Sequence, residues 1–369
     1  FAECPLRYYL RYGVDLKERE EFTFSPVNFG VVLHAVIREV CDEIKKNGES
    51  YYLISEEKRR EMVKRSVAAI TDIYQNSILK DSSRNSFMIK RMEDLADRTV
   101  WAMGEQLKCG DFVPFVFEHK FNMEVGDGDR KQLMSGTIDR VDICENGTDV
   151  YVRIIDYKTG KKDFNIVKTY YGIDIQLMVY MEAAMKLVAK MRPGKNVIPA
   201  GVFYYNISDP IVSATTESAE EIEDKIKGEL RLKGMVNSDK DIAEKMDNTE
   251  GTSLNIPVSR KADGGFDSRR SKVMNTEQFN ILGRFVDVRA IDTADRIAGG
   301  DIRRSPYKDG QFSSCDRCPY GAVCGFSVDL PGCNYRKLKK FDDEVLWNNI
   351  KEGVDENGKK MDTGAEERD

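Results

Sequence analysis

The stretch SGTIDRVDICENGTDVYVRIIDYKTGKK, residues 135–162, decides how this chain folds. Two apolar-rich runs flank the linker ENGT at residues 145–148, and an Asn-Gly pair between such runs predicts a β-hairpin because both residues tolerate positive φ. The hairpin brings Asp139 on its first strand near Asp156 on its second. Lys158 projects from the same face as Asp156 because side chains alternate along a strand. Two carboxylates and an amine on one face suit a divalent metal ion and a phosphate-rich substrate.

An ordinary structural role competes with this metal-site interpretation. Charged residues that alternate along a hairpin usually form a solvated face. Asp156, however, stands at the end of the apolar pair Ile154-Ile155, where burying a charge costs free energy unless the charge is paired or binds metal. The hairpin alone therefore leaves a metal site and a structural ion pair equally open.

Composition places the chain among soluble globular proteins. Of its 369 residues, 41% are hydrophobic and 33% are charged, and the longest apolar runs, such as residues 198–205, are too short to span a bilayer. We therefore expect no membrane association. No signal peptide is visible. The chain begins with Phe1 instead of Met, which predicts a fragment of a longer protein.

The net charge of −6 is concentrated at the C-terminal end of the chain. Residues 341–369 contain ten acidic and four basic residues, so residues 1–340 are neutral overall. We predict one domain over residues 1–335, followed by an acidic, flexible tail over residues 336–369. Residues 1–340, although neutral overall, can still carry a local basic groove, so the net charge does not exclude a nucleic-acid partner.

Hydrophobic periodicity predicts an α/β fold with a mixed central sheet, flanked by helices and surrounded by further helical segments. We expect the core of the sheet at about residues 111–206 and mostly helical structure beyond residue 209. The expected helices are 28–46, 55–107 with a break near 81–83, 173–191 and 275–297, and the expected strands are 112–125, 133–144, 150–157 and 197–206.

Three of the eight cysteines are closely spaced near the C-terminal end. Cys315 and Cys318 form a CxxC pair and Cys324 follows, a spacing that favours a shared metal centre. A fourth ligand could be Cys333 or the distant Cys4. Disulfides are disfavoured without a secretory signal, whereas zinc and an iron–sulfur cluster remain equally compatible with this spacing. The other cysteines fit ordinary core thiols: Cys41, Cys109 and Cys144.

Taken in order, these segments resemble the PD-(D/E)XK nuclease superfamily in its RecB-like branch, and within it the C-terminal nuclease domain of the AddB family, which belongs to the bacterial AddAB helicase–nucleases. Ile138 precedes the first Asp where the superfamily name has Pro. The likeness covers nearly the whole chain, and its motifs are Cys4-Pro5, GVVLH at 30–34, GTIDR at 136–140, DYKTG at 156–160, QLMVY at 176–180, the cysteine triplet, and the later segments LKG at 232–234, KMD at 245–247 and GDI at 300–302.

The resemblance implies two centres. One would hold Mg²⁺ or Mn²⁺ through His34, Asp139, Asp156 and the backbone carbonyl of Tyr157, with Lys158 as a catalytic residue. Gln176 and Tyr180, which share a helix face, would lie beside it as further catalytic residues, in contact with DNA or Lys158. The other would be a [4Fe–4S] cluster that joins both ends of the domain, with Cys333 as a bystander, and its ligands would be Cys4, Cys315, Cys318 and Cys324.

Three further interpretations concern single residues and one short segment. A lone histidine on a helix is more often structural than a ligand, and only the resemblance reverses that expectation for His34. His119 matches no ligand position. Glu118 could contact the site, but we expect it at a surface strand position. The segment from Arg7 to Tyr12 mixes cations with aromatics, as grooves for single-stranded nucleic acid do.

The expected function is metal-dependent exonuclease activity on single-stranded DNA, 5′→3′ by resemblance, in double-strand break processing for homologous recombination. The implied partners are the AddA helicase/nuclease and the missing N-terminal part of AddB, in the bacterial cytoplasm at the nucleoid. No Walker motif is present, so this segment would not drive unwinding itself. Two alternatives are a free-standing iron–sulfur nuclease of CRISPR adaptation and a catalytically silent, cluster-stabilised DNA-binding module.

Overall fold

The computed structural model of the chain describes residues 1–17, 26–73, 83–126, 131–213 and 217–366. Its helices are α1 (Pro5–Tyr8), a π-helical turn (Tyr9–Gly13), α2 (Pro26–Lys46), α3 (Glu56–Ile73), α4 (Ser83–Lys108), α5 (Ile166–Tyr170), α6 (Gln176–Met191), α7 (Ala219–Glu229), α8 (Lys240–Met246), α9 (Thr276–Ala298), α10 (Gly321–Cys324) and α11 (Asp343–Glu366). Its strands are β1 (Val113–Val125), β2 (Gln132–Asn146), β3 (Asp149–Lys158), β4 (Asn196–Asn206), β5 (Lys233–Asn237), β6 (Val273–Met274), β7 (Tyr307–Asp309), β8 (Phe312–Ser313) and β9 (Arg336–Lys337). The predicted helix break near residues 81–83 falls mostly outside the described residues.

A mixed sheet with strand order β1-β2-β3-β4-β5-β6 forms the centre of the described chain and confirms the predicted fold class. The pairs β3–β4 and β5–β6 are parallel, and the other neighbours are antiparallel. The sheet extends beyond the predicted limit near residue 206, because β5 and β6 pair onto its far edge. Gly234 permits this pairing, since a Cβ there would lie 1.9 Å from the Val202 carbonyl oxygen.

The predicted hairpin is confirmed, and it sets the register of the site. Asn146 pairs with Asp149, so the loop consists of Gly147 and Thr148, and positive φ falls on Gly147 (60°) rather than on both residues of the Asn-Gly pair. A glycine at the first loop position is typical of a type II′ turn. Arg140 pairs with Ile155, which places Asp139 across from Asp156 at the far end of the hairpin.

Two apolar layers cover the two faces of the sheet. One face is packed by α2, α3 and α4, and the other by α6, α9 and α11. Helix α11 lies within the predicted flexible tail, yet its Leu346 and Ile350 are buried. The prediction of a solvated segment therefore fails at these two positions, because apolar residues one helical turn apart give α11 a face that packs against the core.

A buried ion network lies on the face of the sheet that α2 covers. The Asp142 carboxylate accepts hydrogen bonds from Arg140 Nε (2.7 Å) and Nη2 (2.6 Å) and from Arg153 Nε (2.9 Å). All three side chains are at most 1% exposed. Burial alone would raise the pKa of Asp142, but the two guanidinium groups hold it below its usual value. The network ties β2 to β3 directly beside the site-bearing end of the hairpin.

The first residues of the chain are fastened to a C-terminal segment. Leu6 donates its backbone N–H to the Arg303 carbonyl (3.2 Å), and Tyr307 donates to the Glu3 carbonyl (3.3 Å). Arg336 also donates to the Ala2 carbonyl. In the ranges that the structure describes, no helix combines the length and apolar character needed to cross a membrane.

Candidate active site

Side chains from five elements meet at one end of the central sheet. Helix α2 packs on one face of the sheet and helix α6 packs on the other. The end of the β2–β3 hairpin opposite its turn lies between these two helices. The residues that meet there are His34 from α2, Glu118 from β1, Asp139 from β2, Asp156 and Lys158 from β3, and Gln176 and Tyr180 from α6.

His34 lies between two carboxylates. Its Nδ1 is 3.6 Å from Glu118 Oε1 and 3.5 Å from Asp139 Oδ2, and the ligand atoms of the three residues all lie within 4.8 Å of one another. Burial alone would lower the pKa of His34, yet its hydrogen bonds to Asp139 and Glu118 raise that pKa to about 10. One imidazole and two carboxylates can hold a divalent cation once the imidazole gives up its proton.

Glu118 corrects the sequence prediction, which assigned it to a surface strand position. Its backbone φ is 46°, whereas the flanking residues pair regularly across β2, Phe117 with Arg140 and His119 with Ile138. A non-glycine residue in this region costs about 1–3 kcal/mol, and such strain concentrates at functional sites. The unusual φ brings the Glu118 side chain to His34, and nothing in a run of alternating strand residues signals it. His119 is not part of this three-residue group.

Asp139 and Asp156 lie side by side at the end of the hairpin. Asp139 Oδ2 accepts a hydrogen bond from the Tyr157 backbone N–H (2.7 Å), which holds the Asp139 carboxylate against β3. Burial, and then the charge of Asp139, raises the pKa of Asp156 to about 6. Two neighbouring carboxylates in a buried setting favour a cation between them.

Lys158 is held by both Asp156 and α6. Its Nζ lies 2.5 Å from Asp156 Oδ2 and donates to Gln176 Oε1 (3.1 Å), while Gln176 Nε2 donates to the Tyr180 hydroxyl (2.9 Å). The amide of Gln176 thus fixes the direction of the ammonium group. Gly136 leaves room for this arrangement, because a Cβ there would lie 2.9 Å from the Phe121 ring and 3.3 Å from the Tyr180 ring.

The donor set of the site fits a divalent metal ion. Asp156 Oδ2 is buried and is paired with the Lys158 ammonium at 2.5 Å. A carboxylate has about four lone-pair positions on its two oxygens, so this pairing leaves Asp156 able to accept a further cation. Oxygen ligands with one imidazole match the preferences of Mg²⁺ and Mn²⁺.

Four thiols line one largely apolar pocket, close to where the first residues of the chain meet the C-terminal segment. Cys4 caps the start of α1, Cys315 and Cys318 are joined by a tight turn in which Cys318 N donates to the Cys315 carbonyl (3.1 Å), and Cys324 ends α10. The apolar part of the lining consists of Leu6, Leu10, Pro306, Tyr320 and Phe326. The four cysteines that the resemblance groups together therefore line the same pocket.

The remaining thiols lie elsewhere. All eight cysteines are free. Cys333 is buried and does not line the four-thiol pocket. Cys41 and Cys144 are core residues of the α2-covered layer, and burial raises the pKa of both thiols, as it does for Cys109.

The comparisons with known proteins agree with this fold. Residues 1–325 match the family described as the PD-(D/E)XK nuclease superfamily, and the chain belongs to that superfamily. Its relatives are named as the B subunits of ATP-dependent helicase/deoxyribonucleases, and they include proteins from Thermoanaerobacter sp. (33% identical over 98% of the chain), Caldanaerobacter subterraneus (34% over 100%) and Clostridium acetobutylicum (34% over 97%). The chain spans 32% of the length of each of these relatives.

Proposed function

We propose that the chain is a divalent-metal-dependent deoxyribonuclease domain that hydrolyses phosphodiester bonds of single-stranded DNA. The observation that carries this proposal is the grouping of His34, Glu118 and Asp139, whose ligand atoms lie within 4.8 Å of one another, with Asp156 and the Lys158 ammonium beside them. Such a set suits a bound cation and a negatively charged phosphate, whereas a silent binding module has no need of it.

In this proposal each side chain has a defined task. Lys158 donates to the phosphate oxygens and stabilises the charge that develops on them as the bond to the leaving oxygen breaks. Gln176 holds the Lys158 ammonium in place, and Tyr180 orients the Gln176 amide. Both α6 residues therefore act as positioning residues rather than through contact with the reacting atoms.

The four residues His34, Glu118, Asp139 and Asp156, with the Tyr157 carbonyl, would hold Mg²⁺ or Mn²⁺. When bound, the cation supplies charge neutralisation at the phosphate and lowers the pKa of a bound water. Asp139 is kept in place for this task by the hydrogen bond from the Tyr157 N–H. The pairing of β2 with β3 then sets the spacing of the two aspartates.

We further infer that Cys4, Cys315, Cys318 and Cys324 hold a [4Fe–4S] cluster. The support is a pocket lined by four thiols and apolar side chains, in a chain where all cysteines are free. The cluster would close a loop of about three hundred residues and stabilise the contacts between residues 1–8 and 303–336. Its loss would loosen these terminal segments while the central sheet stays folded.

The names of the relatives support a place in a larger assembly. They are parts of helicase/deoxyribonucleases, and this chain matches about a third of the length of each. We propose that the chain works with the remaining N-terminal part of such an AddB-like protein and with an AddA helicase/nuclease partner. Its role would be 5′→3′ degradation of one strand during double-strand break processing for recombination, in the bacterial cytoplasm.

The test of the nuclease proposal compares two variants on strand β3. Asp156→Asn removes a proposed ligand, whereas Asp149→Asn changes a carboxylate at the start of the same strand that contacts only Asn196 among its described hydrogen-bond partners. We expect Mg²⁺-dependent digestion of a labelled single-stranded oligonucleotide by the wild type and by Asp149→Asn, and none by Asp156→Asn. Equal digestion by Asp156→Asn, or no digestion by the wild type with Mg²⁺ or Mn²⁺, would contradict the proposal.

The cluster is tested separately. Protein purified without oxygen should contain about four iron atoms and four sulfides per chain if the [4Fe–4S] assignment holds. Cys4→Ser should abolish the broad visible absorption, and Cys333→Ser should leave it intact. A colourless protein that contains zinc would show that the four-thiol pocket holds a different metal.

A further inference from the structure

A cleft of about 250 Å³ lies between the N-terminal helical segment and the loop that leads into α6. One wall carries Arg7, Tyr8, Arg11 and Tyr12, and the other wall contains Gly172 and Ile173. Glu3 also lines the cleft and pairs with Arg7, which leaves Arg11 as the cation for a ligand. Arg7 also lines the four-thiol pocket, so the cleft adjoins that pocket. Neither the metal site nor the thiol pocket accounts for the aromatic and cationic side chains of this cleft.

The aromatic wall is exposed and preformed. Tyr8 and Tyr12 are one helical turn apart, and their ring centres are 4.9 Å from each other. Tyr12 is 63% exposed, although a large aromatic side chain loses free energy when it faces water. Arg11 lies against it, with Cζ 5.3 Å from the ring centre, so a positive charge stands at the rim of the aromatic surface.

The local backbone holds these rings in place. The chain from Tyr9 to Gly13 forms a π-helical turn, in which Val14 N donates to the Tyr9 carbonyl (3.0 Å). Gly13 is needed there because a Cβ would lie 2.6 Å from the Tyr9 ring. Such turns are rare and occur frequently at functional sites.

The opposite wall connects the cleft to the candidate active site. Gly172 has a φ of 73° and approaches Ala2 closely, since a Cβ on Gly172 would lie 3.6 Å from the Ala2 Cβ. Asp174 fixes the loop by accepting a hydrogen bond from the Tyr204 hydroxyl (2.7 Å) and pairing with Lys162 (3.1 Å). Gln176, which holds Lys158, follows two residues later. The loop that lines the cleft therefore continues directly into the start of α6, where Gln176 contacts Lys158.

We infer that this cleft binds unpaired nucleotides of single-stranded DNA, with a base stacked on Tyr12 and a backbone phosphate paired with Arg11. The inference rests on the proposed nuclease function and names a second contact surface for its substrate. Exposed aromatic rings combined with arginine suit unpaired bases of any sequence, because every base offers a π-face and every nucleotide a phosphate. A duplex would hide its bases from Tyr12, so the cleft favours single strands.

The test measures DNA binding in EDTA, where cleavage does not occur, with the full chain and a fluorescein-labelled single-stranded oligonucleotide. Tyr12→Leu should weaken binding about 5- to 100-fold, the range expected for loss of one stacked base. Tyr12→Phe should bind like the wild type because stacking does not need the hydroxyl. Tyr52→Leu is the matched control, since Tyr52 is also exposed (48%) but does not line the cleft.

Two readouts separate binding contacts from a merely structural role. Arg11→Gln should reduce the slope of log Kd against log salt by about 0.7, the value for one phosphate contact on a single strand. A 2-aminopurine base in the oligonucleotide should be quenched on binding to the wild type and less quenched with Tyr12→Leu. If Tyr12→Leu bound the oligonucleotide with unchanged affinity and unchanged quenching, the inference would be overturned. A protein segment that occupies the cleft in place of DNA would give this same result.

This outcome is distinguishable from failure of the proposed function. If the wild type digests single-stranded DNA while Tyr12→Leu binds and digests it equally well, the cleft inference is wrong and the nuclease proposal stands. If the wild type fails to digest DNA with Mg²⁺ or Mn²⁺, the nuclease proposal is wrong, and the binding measurement in EDTA still decides whether the cleft holds a single strand.

Discussion

Replacing Asp142 by Asn tests whether the buried ion network holds the hairpin that carries the site. The carboxylate accepts three hydrogen bonds from Arg140 and Arg153, and it is fully buried. Asn keeps the size of the side chain but removes its charge. Two buried guanidinium groups then remain next to each other without a counter-charge.

The size of the effect follows from this geometry. Breaking a buried ion pair by removing one partner costs about 3–5 kcal/mol, because the remaining charge stays desolvated. Here two charges lose the same partner, so we expect Asp142→Asn to lower the free energy of unfolding by about 3–5 kcal/mol or more. The pKa of Asp142 is held low by Arg140 and Arg153 against the effect of burial, which requires the charged form in the folded protein.

The assay is urea denaturation followed by circular dichroism, with the free energy obtained from the midpoint and the slope. Glu145→Gln provides a matched control on the same strand, because Glu145 pairs with Arg192 (2.7 Å) at a largely exposed position. Exposed pairs contribute only about 0.2–1 kcal/mol. If Asp142→Asn cost no more than Glu145→Gln, the network would not stabilise the hairpin and our reasoning would be refuted.

Three further predictions concern the site and its supporting helices. Glu118→Gln should raise the Mg²⁺ concentration that gives half-maximal cleavage by about tenfold or more, measured by following the cleavage rate as Mg²⁺ is titrated. An unchanged Mg²⁺ requirement would exclude Glu118 as a ligand. Lys158→Arg should lower kcat about a hundredfold with little change in DNA affinity, because a planar guanidinium cannot take the place of a compact ammonium; near-normal turnover would contradict this role. Burial, and then hydrogen bonding to Glu182, raises the pKa of Asp287 from its usual value of 3.8 to about 8. The protonated Asp287 carboxyl therefore contributes its full stabilisation below about pH 4, and this contribution is lost as the pH rises toward 8. Asp287→Asn should therefore show a smaller fall in thermal stability than the wild type between pH 5 and pH 8.5, and an identical fall would exclude this titration.

The parts of the fold with strong local signals could be predicted from the sequence. The β2–β3 hairpin follows from its turn and two long strands, and α2 follows from apolar residues at helical spacing. The antiparallel pairing of these two strands then brings Asp139 and Asp156 across from each other. Strands β5 and β6 were beyond prediction because they contain only five and two residues, too few to establish a period.

The parts of the site that depend on tertiary context could not be predicted in the same way. Glu118 reaches the site through a φ of 46° inside β1, and regular alternation along the strand gives no sign of it. The loop at 173–175 was assigned to α6, but the helix begins at Gln176, directly at the contact with Lys158. The packing of α11 depends on Leu346 and Ile350 within a strongly acidic segment, where charge dominates the composition.

Direct measurement of cation binding tests the central claim, which is that these carboxylates hold a divalent ion. Mn²⁺ can be titrated into the full chain while electron paramagnetic resonance detects the free ion, with the Asp139→Asn/Asp156→Asn double variant and Asp149→Asn measured in parallel. We expect the wild type and Asp149→Asn to bind Mn²⁺ with saturation, and the double variant to lose that binding. Equal Mn²⁺ binding by the double variant and the wild type would show that the ion sits elsewhere, and the proposed nuclease centre would have to be abandoned.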